Sequence, residues 1–137
     1  MKTPASHCTW VVVTLFLALG FTHTSKAEAT NAPAQLVTVP EAEKLIADKK
    51  VVVLDVRTPS EFAAGHIAGA TNLDFHDKDF QAKLGKLDKS QPYLVHCAVG
   101  GRSGKAGKLM STMDFKSVYD LKGGLTAWEK AGKPVEK

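Results

Sequence analysis

The sequence predicts an α/β fold of three layers, in which helices cover both faces of a sheet of parallel strands. Two largely apolar runs, residues 51–54 and 93–96, lack the alternation of a strand with one face in water. Segments with helical spacing separate these and the other short strand-like runs along the chain. Strands that alternate with helices pair in parallel, because the connecting helices must lie on the faces of the sheet.

The composition fits one globular domain and excludes several classes of protein. Of 137 residues, 44% are hydrophobic and 23% are charged, which leaves room for one ordinary core. The 18 Lys and Arg and 14 Asp and Glu give a net charge of +4, and the basic residues are scattered, so no nucleic-acid partner is expected. The cysteines, Cys8 and Cys97, lie in no CxxC motif or Cys/His cluster, so the sequence predicts neither a metal site nor a cofactor.

The amino terminus has the pattern of a signal peptide over residues 1–27. Lys2 precedes an apolar run over 10–21, and small residues precede a cut after Ala27, although a cut after Ala29 also fits. The apolar run is well short of the roughly 20 residues that span a bilayer, so no stable membrane anchor is expected. The protein is therefore predicted to be exported, to the periplasm of a Gram-negative bacterium and otherwise as a secreted protein.

Cleavage leaves Cys97 as the single cysteine of the mature chain, because Cys8 is removed with the signal peptide. Residues 28–35 are predicted to form a linker, and one domain is predicted over 36–137. Cys97 then cannot form an internal disulfide, and an unpaired thiol in an exported protein requires a functional explanation.

The first predicted elements of the domain have clear start signals. Thr38, with Glu41 three residues later, makes a capping box at the start of a helix. Asp55 ends the first apolar strand, and Pro59 opens a short helical turn. The elements predicted in this segment are strands over 36–39 and 51–54 and helices over 40–48 and 60–64.

A loop, a short strand and a helix are predicted next. Gly65 and Gly69 bracket a loop that leads into a short strand over 70–73. Phe80, Leu84 and Leu87 have helical spacing, which predicts a helix over 77–86.

The second half of the domain has the order strand, loop, helix. The apolar strand 93–96 enters a glycine-containing turn, and a helix with inward apolar residues follows. Gly123-Gly124 interrupts the chain before a last helix, in which Trp128 is predicted to pack in the core. The elements predicted in this half are strands over 93–96 and 117–121 and helices over 102–113 and 125–131.

The candidate site lies at the carboxyl ends of the strands, where open parallel sheets bind their ligands. Asp55 and Cys97 each follow an apolar run, so both belong to this edge. The loop after Cys97 leads into a helix start, where backbone N–H groups and the helix dipole favour an anion. Gly100 and Gly101 allow successive N–H groups to point inward, and Arg102 adds positive charge. These effects lower the pKa of the Cys97 thiol and predict a nucleophile rather than the small buried hydrophobe that most lone cysteines are.

Short motifs are spread along the domain in a specific order. They are Leu54-Asp55-Val56-Arg57 with Glu61-Phe62 and Gly65-His66-Ile67-Ala68-Gly69-Ala70, then Cys97-Ala98-Val99-Gly100-Gly101-Arg102-Ser103, then Gly123-Gly124 with Ala127-Trp128 and Gly132-Lys133-Pro134-Val135. Together they resemble the single-domain rhodaneses, a family of thiosulfate sulfurtransferase-like proteins, over nearly all of the mature chain.

The resemblance implies a rhodanese-like fold with a five-stranded, mainly parallel sheet flanked by helices, and a loop that surrounds the reactive sulfur. It makes Cys97 the catalytic residue and Asp55 and Arg57 supporting residues. The residues implied to bind the substrate and the persulfide are Ala98, Val99, Gly100, Gly101, Arg102 and Ser103.

The implied reaction is a double displacement that needs no cofactor. The Cys97 thiolate takes the outer sulfur of a small anionic donor such as thiosulfate, releases sulfite and holds the sulfur as a persulfide. A thiol or cyanide then accepts it. Little acid or base catalysis is needed, because sulfite already leaves as an anion.

Other functions stay open at this point. Related phosphatases have five residues between cysteine and arginine, whereas four lie between Cys97 and Arg102, and the shorter ring suits a single sulfur atom. Arsenate reduction has no specific sign in the sequence. A non-enzymatic role, as a sulfur carrier or binding module for a redox or sulfur-accepting partner protein, fits the same residues.

Several charged residues admit a structural interpretation. Asp55 and Arg57 either orient the active loop or form a buried ion pair, for which Glu61 is the predicted partner of Arg57. Lys105 and Lys108 either attract anionic donors or are simply solvated.

The two histidines near the motifs are predicted to be structural. His66 lies in the glycine-bracketed loop, where a hydrogen-bonded role is favoured over that of a general base. His96 directly precedes Cys97, and the alternation of a strand points the two side chains in opposite directions.

Overall fold

The structure is a computed structural model that describes residues 32–137. The predicted signal peptide over 1–27 and the first residues of the predicted linker lie outside the described residues. Within the described residues, no helix has the length and apolar character needed to cross a bilayer. The first strand begins at Gln35, so the last residue of the predicted linker pairs with the sheet.

Five strands form one sheet, and every neighbouring pair of strands is parallel. The predicted α/β class with a five-stranded sheet is confirmed, and each predicted strand is present. The order across the sheet is β1-β5-β4-β2-β3. The strands are β1 (Gln35–Val37), β2 (Val52–Asp55), β3 (Thr71–Asn72), β4 (Pro92–His96) and β5 (Ser117–Leu121).

Helices lie between the strands, as the alternating pattern predicted. Their starts and ends agree with the predicted ranges to within one residue, except at the third helix. They are α1 (Val39–Ala47), α2 (Pro59–Ala64), α3 (Phe80–Leu84), α4 (Gly101–Thr112) and α5 (Gly124–Lys130).

The helix α3 is shorter than the predicted helix over 77–86. The Asp77 side chain accepts a hydrogen bond from the Asp79 N–H at 2.9 Å, and this local bond competes with helix formation before Phe80. Beyond α3, the Leu87 N–H bonds to the Leu84 carbonyl at 3.1 Å in a tight turn. Leu87 therefore packs against the core from a turn.

Capping boxes fix the starts of α1 and α2. The predicted box is present, since the backbone N–H and the hydroxyl of Thr38 both donate to the Glu41 carboxylate at 2.7 Å. At α2 the Thr58 N–H donates to Glu61 Oε2 at 3.0 Å, and Thr58 Oγ1 accepts the Glu61 N–H at 3.3 Å. Pro59 takes the first helical position, as predicted, but sequence reasoning did not detect the box around it.

Apolar side chains pack on both faces of the sheet. Leu94 and Val95 of β4 point to opposite faces, and both are fully buried. One face packs against α3 and α4, and the other against α1 and α5. Trp128 is a core residue, as predicted, and its indole N–H donates to the Pro134 carbonyl at 3.0 Å.

The register of the sheet determines where the candidate site lies. Asp55, the last residue of β2, is paired with His96, the last residue of β4. Cys97 comes directly after this pair, so Asp55 and Cys97 share the carboxyl edge of the sheet.

Candidate active site

Cys97 lies at the end of β4, with its side chain in the core cluster beneath α4 and only 1% of the residue exposed. The Gly100 N–H donates a hydrogen bond to Sγ at 3.0 Å. The N–H groups of Val99 and Ser103 and the Ser103 hydroxyl also favour the thiolate form of this sulfur, and the hydroxyl donates to the Gly100 carbonyl at 3.3 Å. The sulfur therefore lies in a cradle of donors from the loop that follows it.

The donors of the cradle lower the pKa of the Cys97 thiol although the residue is buried. Burial raises the pKa of the Cys97 thiol, because it disfavours the charged form. The hydrogen bonds from Ser103, Gly100 and Val99 favour the thiolate and together outweigh burial, so the pKa lies below its usual value. This is the electrostatic setting of a reactive cysteine.

The two glycines of the loop have different conformations. Gly100 has φ 110°, a left-handed conformation that glycine adopts without strain, and its carbonyl accepts the Gly104 N–H at 3.0 Å. Gly101 is the first residue of α4, has no positive φ, and a Cβ there would meet nothing within 4 Å. The predicted conformational requirement therefore applies to Gly100 and not to Gly101.

The carbonyl side of the loop is held by the start of α5. The Leu125 N–H donates to the Cys97 carbonyl at 2.8 Å, and the Thr126 N–H donates to the Ala98 carbonyl at 3.0 Å. Gly124 makes this approach possible, since a Cβ there would lie 2.4 Å from the Cys97 carbonyl oxygen. The C=O and N–H of one trans peptide group point in opposite directions, so binding of the Ala98 carbonyl to α5 turns the Val99 N–H to the side away from α5. Sequence reasoning treated Gly124 as a break in the chain and as part of a family motif, and did not identify it as the point where α5 approaches the loop.

Arg102 makes a two-pronged ion pair with Glu61 across the site. Its two terminal nitrogens donate to the two carboxylate oxygens, each at 2.7 Å. The hydrogen bonds from Arg102 hold the pKa of Glu61 far below its usual range, and the Glu61 carboxylate raises the pKa of Arg102. Cys97 also raises the pKa of Arg102, to a smaller extent, so the guanidinium lies close enough to act on the charge of the loop sulfur.

The predicted ion pair between Arg57 and Glu61 is therefore wrong. Glu61 lies on α2, one turn from Arg57 in sequence, but its carboxylate reaches Arg102, which is 41 residues away along the chain. Arg57 instead turns back to Asp55, with Nε 3.0 Å from each carboxylate oxygen and a terminal nitrogen 2.6 Å from Oδ2. Proximity in sequence suggested the wrong partner because the two loops meet only in the folded chain.

The pair of Asp55 and Arg57 is buried and ties the site to the chain that follows. Asp55 is fully buried and Arg57 is 5% exposed. Arg57 also donates to the Gly65 carbonyl at 2.7 Å, and its own N–H bonds to Asp55 Oδ1 at 2.9 Å. These hydrogen bonds join the two side chains to each other and to the nearby backbone, which is the buried ion pair named as one alternative for Asp55, and the supporting role of both residues in the site stays a prediction.

The histidines lie behind and beside the loop. The fully buried His96 has Nε2 3.6 Å from Asp55 Oδ2, and burial lowers the pKa of its imidazole. His66 stacks on Phe62 with ring centroids 3.8 Å apart, and its backbone exchanges two 2.8 Å hydrogen bonds with Glu136. These contacts agree with the structural roles predicted for both histidines.

The surface around the loop offers a small cleft next to Ala98. Its volume is about 180 Å³, and its lining includes Arg57, Glu61, Ala98 and Thr126. Val99, at the tip of the loop, is 68% exposed. Among the described residues, no group of His, Cys, Asp and Glu side chains is placed to hold a metal ion.

The ion pair of Glu61 and Arg102 predicts a pH-dependent contribution to stability. Because the folded-state pKa of Glu61 lies below its ordinary value of 4.5, the contribution is present above about pH 4.5 and is lost as the pH falls further. We expect Glu61→Gln, which keeps the capping group at Thr58, to lower the free energy of unfolding by about 1 kcal/mol at pH 7. The figure is small because both side chains are partly exposed.

Denaturant titrations at pH 7 and pH 3 measure this effect. The difference between Glu61→Gln and the unmodified protein should shrink at pH 3. Glu43→Gln, which removes an exposed pair with Lys133, is the matched control and should change stability less. A difference for Glu61→Gln that is equal at both pH values would contradict the prediction.

Comparison with known proteins gives a consistent result. The family model described as a rhodanese-like domain matches residues 38–131. A thiosulfate sulfurtransferase GlpE of Pseudomonas entomophila is 38% identical over 90 residues, which cover 65% of this chain and 80% of the relative. Thiosulfate sulfurtransferase 16, chloroplastic, of Arabidopsis thaliana is 32% identical over 120 residues, covering 80% and 98%. The crystal structure of a rhodanese-related protein from Thermoplasma volcanium matches with a TM-score of 0.68 and 31% identity, over 74% of this chain and 97% of that one.

Proposed function

This chain belongs to the rhodanese-like family, and on that premise we propose that it transfers sulfur from thiosulfate, or a related small anion, through a persulfide on Cys97. The acceptor is a thiol or cyanide. The observation that carries the proposal is the cradle of donors around Cys97 Sγ, which lowers the pKa of the thiol. The relatives named thiosulfate sulfurtransferase support the choice of donor.

The reaction consists of two displacements at sulfur. In the first, the Cys97 thiolate bonds to the outer sulfur of thiosulfate, and the S–S bond of the donor breaks with its electron pair leaving on sulfite. In the second, an acceptor thiolate or cyanide bonds to the same outer sulfur, and the electron pair returns to Cys97. In both steps an anion attacks the sulfur and another anion leaves it, so the protein does not have to transfer a proton.

The residues of the loop have distinct roles in this scheme. The N–H groups of Val99, Gly100 and Ser103 stabilise the thiolate before the first step and the anionic persulfide after it. Arg102 adds positive charge near the sulfur, although its pairing with Glu61 balances that charge. The cleft beside Ala98 is a place for the acceptor to approach.

The pairing of Arg102 favours sulfur transfer over phosphatase chemistry. A phosphatase needs its arginine to bind the tetrahedral dianion with two parallel hydrogen bonds. In this chain two terminal nitrogens of Arg102 already bond to Glu61, and the ring from Cys97 to Arg102 is short. We therefore expect slow or no hydrolysis of phosphate monoesters.

Intact mass spectrometry tests the proposal directly. The reduced protein should gain the mass of one sulfur atom on treatment with thiosulfate and lose it on addition of cyanide, and Cys97→Ser should do neither. No sulfur gain by folded, reduced protein would overturn transfer from thiosulfate and favour a carrier of sulfur for a partner protein.

The same experiment on protein from an exporting cell tests the predicted signal peptide. We propose that the chain acts outside the cytoplasm after cleavage of the signal peptide. The measured mass should then correspond to a chain that begins at Glu28 or Thr30. A mass that includes residues 1–27 would contradict it.

A further inference from the structure

The cleft beside Ala98 lies between α2, the loop of Cys97 and α5. Its lining includes Glu61 from α2, Ala98 from the loop, and Leu125 and Glu129 from α5. The Leu125 N–H donates to the Cys97 carbonyl at 2.8 Å, so this part of α5 lies against the loop that holds the sulfur. Glu129 is four residues further along the helix and therefore lies on the same face as Leu125.

Among the described residues that line this cleft, three carry a charge, and two of these charges are balanced by a partner. Arg57 makes an ion pair with Asp55 at 2.6 Å, and Glu61 makes one with Arg102 at 2.7 Å. The Glu129 carboxylate has no ion pair or hydrogen bond within the part of the chain that the structure describes. The unbalanced charge of the cleft is therefore the negative charge of Glu129.

The lysines that follow Glu129 in the sequence leave this charge in place. Lys130 does not line the cleft, and Lys133, one turn beyond Glu129, bonds to Glu43 at 2.7 Å. Glu129 is exposed, so its carboxylate is at the mouth of the cleft, where a molecule enters from solvent. An acceptor that approaches the sulfur through the cleft therefore meets a negative charge, which attracts cations and repels anions.

We propose that Glu129 is a specificity-determining residue that selects acceptor thiols carrying an ammonium group over acceptor thiols carrying a carboxylate. This choice of acceptor rests on the proposed function, because it concerns the second displacement. The acceptor thiolate bonds to the outer sulfur of the Cys97 persulfide, and the S–S bond breaks with its electron pair returning to Cys97 Sγ. The ammonium group takes no part in the bond changes and lies near Glu129. Since every such acceptor attacks as a thiolate, the remote group makes the difference between them.

Sulfur transfer from the preformed Cys97 persulfide to three small thiols tests the proposal. The thiols are cysteamine, which carries an ammonium group, 2-mercaptoethanol, which is neutral, and 3-mercaptopropionate, which carries a carboxylate. The protein is loaded with thiosulfate, freed of excess donor and mixed with each thiol, and intact mass follows the return to the reduced protein. Each thiol has its own intrinsic reactivity, which cancels when a variant is compared with the unmodified protein.

In Glu129→Gln the ratio of the rates with cysteamine and with 3-mercaptopropionate should fall about tenfold. An attraction and a repulsion are both lost, and each is worth about threefold for charges about 6 Å apart in water. Glu129→Lys should lower the ratio further, and a cation in the last turn of α5 also suits the helix dipole. The rate with 2-mercaptoethanol is the reference that shows which of the two rates changes. At an ionic strength of about 1 M the difference between the proteins should shrink, because salt screens exposed charges.

Asp48→Asn is the matched control, because it removes a negative charge at the other edge of the sheet. Asp48 ends α1 four residues before β2 begins, whereas Cys97 follows the carboxyl end of β4. Its ratio of rates should equal that of the unmodified protein. An unchanged ratio in Glu129→Gln, with a persulfide that forms normally, would overturn the choice of acceptor and leave the proposed function standing. If no persulfide forms in the unmodified protein, the proposed function fails and the choice of acceptor fails with it.

Discussion

Replacing Gly124 with alanine is expected to lower the rate of sulfur transfer by about a hundredfold, because a misplacement of roughly 1 Å at a reacting group has that cost. The new Cβ would lie 2.4 Å from the Cys97 carbonyl and 2.6 Å from the Ala98 carbonyl, both of them backbone atoms. Either the loop or the start of α5 must move. The hydrogen bonds from Leu125 and Thr126 then lengthen, and the N–H groups lose their direction towards Sγ.

Two measurements follow the change in Gly124→Ala. Steady-state kinetics with thiosulfate and cyanide should show the loss of rate, and alkylation at a series of pH values should show a higher pKa for Cys97. Gly132→Ala is the matched control, because Gly132 also has a positive φ, of 70°, but a Cβ there meets nothing within 4 Å. It carries the strain of a left-handed alanine, about 1 kcal/mol, without the clash. Equal rates for the two variants would refute the role of the close approach.

Replacing Asp55 with alanine is expected to destabilise the fold by about 3–5 kcal/mol, as the loss of one partner of a buried ion pair does. The guanidinium of Arg57 would stay buried without its carboxylate, and the Arg57 N–H would lose its acceptor. Since the whole free energy of unfolding of such a domain is about 5–15 kcal/mol, much of it would be lost.

Urea denaturation of Asp55→Ala measures this loss. Asp48→Ala is the control, because it breaks an exposed pair with Lys50 and should change stability little. The double variant Asp55→Leu with Arg57→Leu should recover part of the lost stability, since no charge is then left buried alone. A single variant as stable as the control would show that the pair is dispensable.

The parts of the fold that sequence reasoning located are those whose signals are local. The apolar strands β2 and β4 and the capping box at Thr38 depend on neighbouring residues, and the structure contains all three. The helix α3 is shorter than predicted because two local signals conflict there. Its apolar spacing suggested a longer helix, whereas the Asp77 side chain bonds locally and delays the start.

Local signals of the same kind located the site, but they did not identify which residues contact Arg102 and the Cys97 loop. The position of Cys97 after a strand and before a glycine loop is visible in the sequence, and so is the charge of Arg102. The pairing of Arg102 with Glu61 and the binding of α5 to the Cys97 carbonyl join segments far apart in sequence. No periodicity or spacing records such contacts, because they depend on how separate loops meet at one edge of the sheet.

The position of α5 has a consequence for when the Cys97 thiol is activated during folding. The edge strand β1 pairs with β5, and α5 follows β5, so the sheet and the cradle both need segments that follow Cys97 in the sequence. Contacts between distant parts of a chain form late and slow the folding of a domain. A folding chain in which α5 has not yet docked lacks the bonds from Leu125 and Thr126 that hold the loop, so its thiol has the ordinary acidity of a free cysteine. The acidity of Cys97 therefore depends on the docking of α5, and a chain truncated before Gly124 is expected to carry an unactivated thiol.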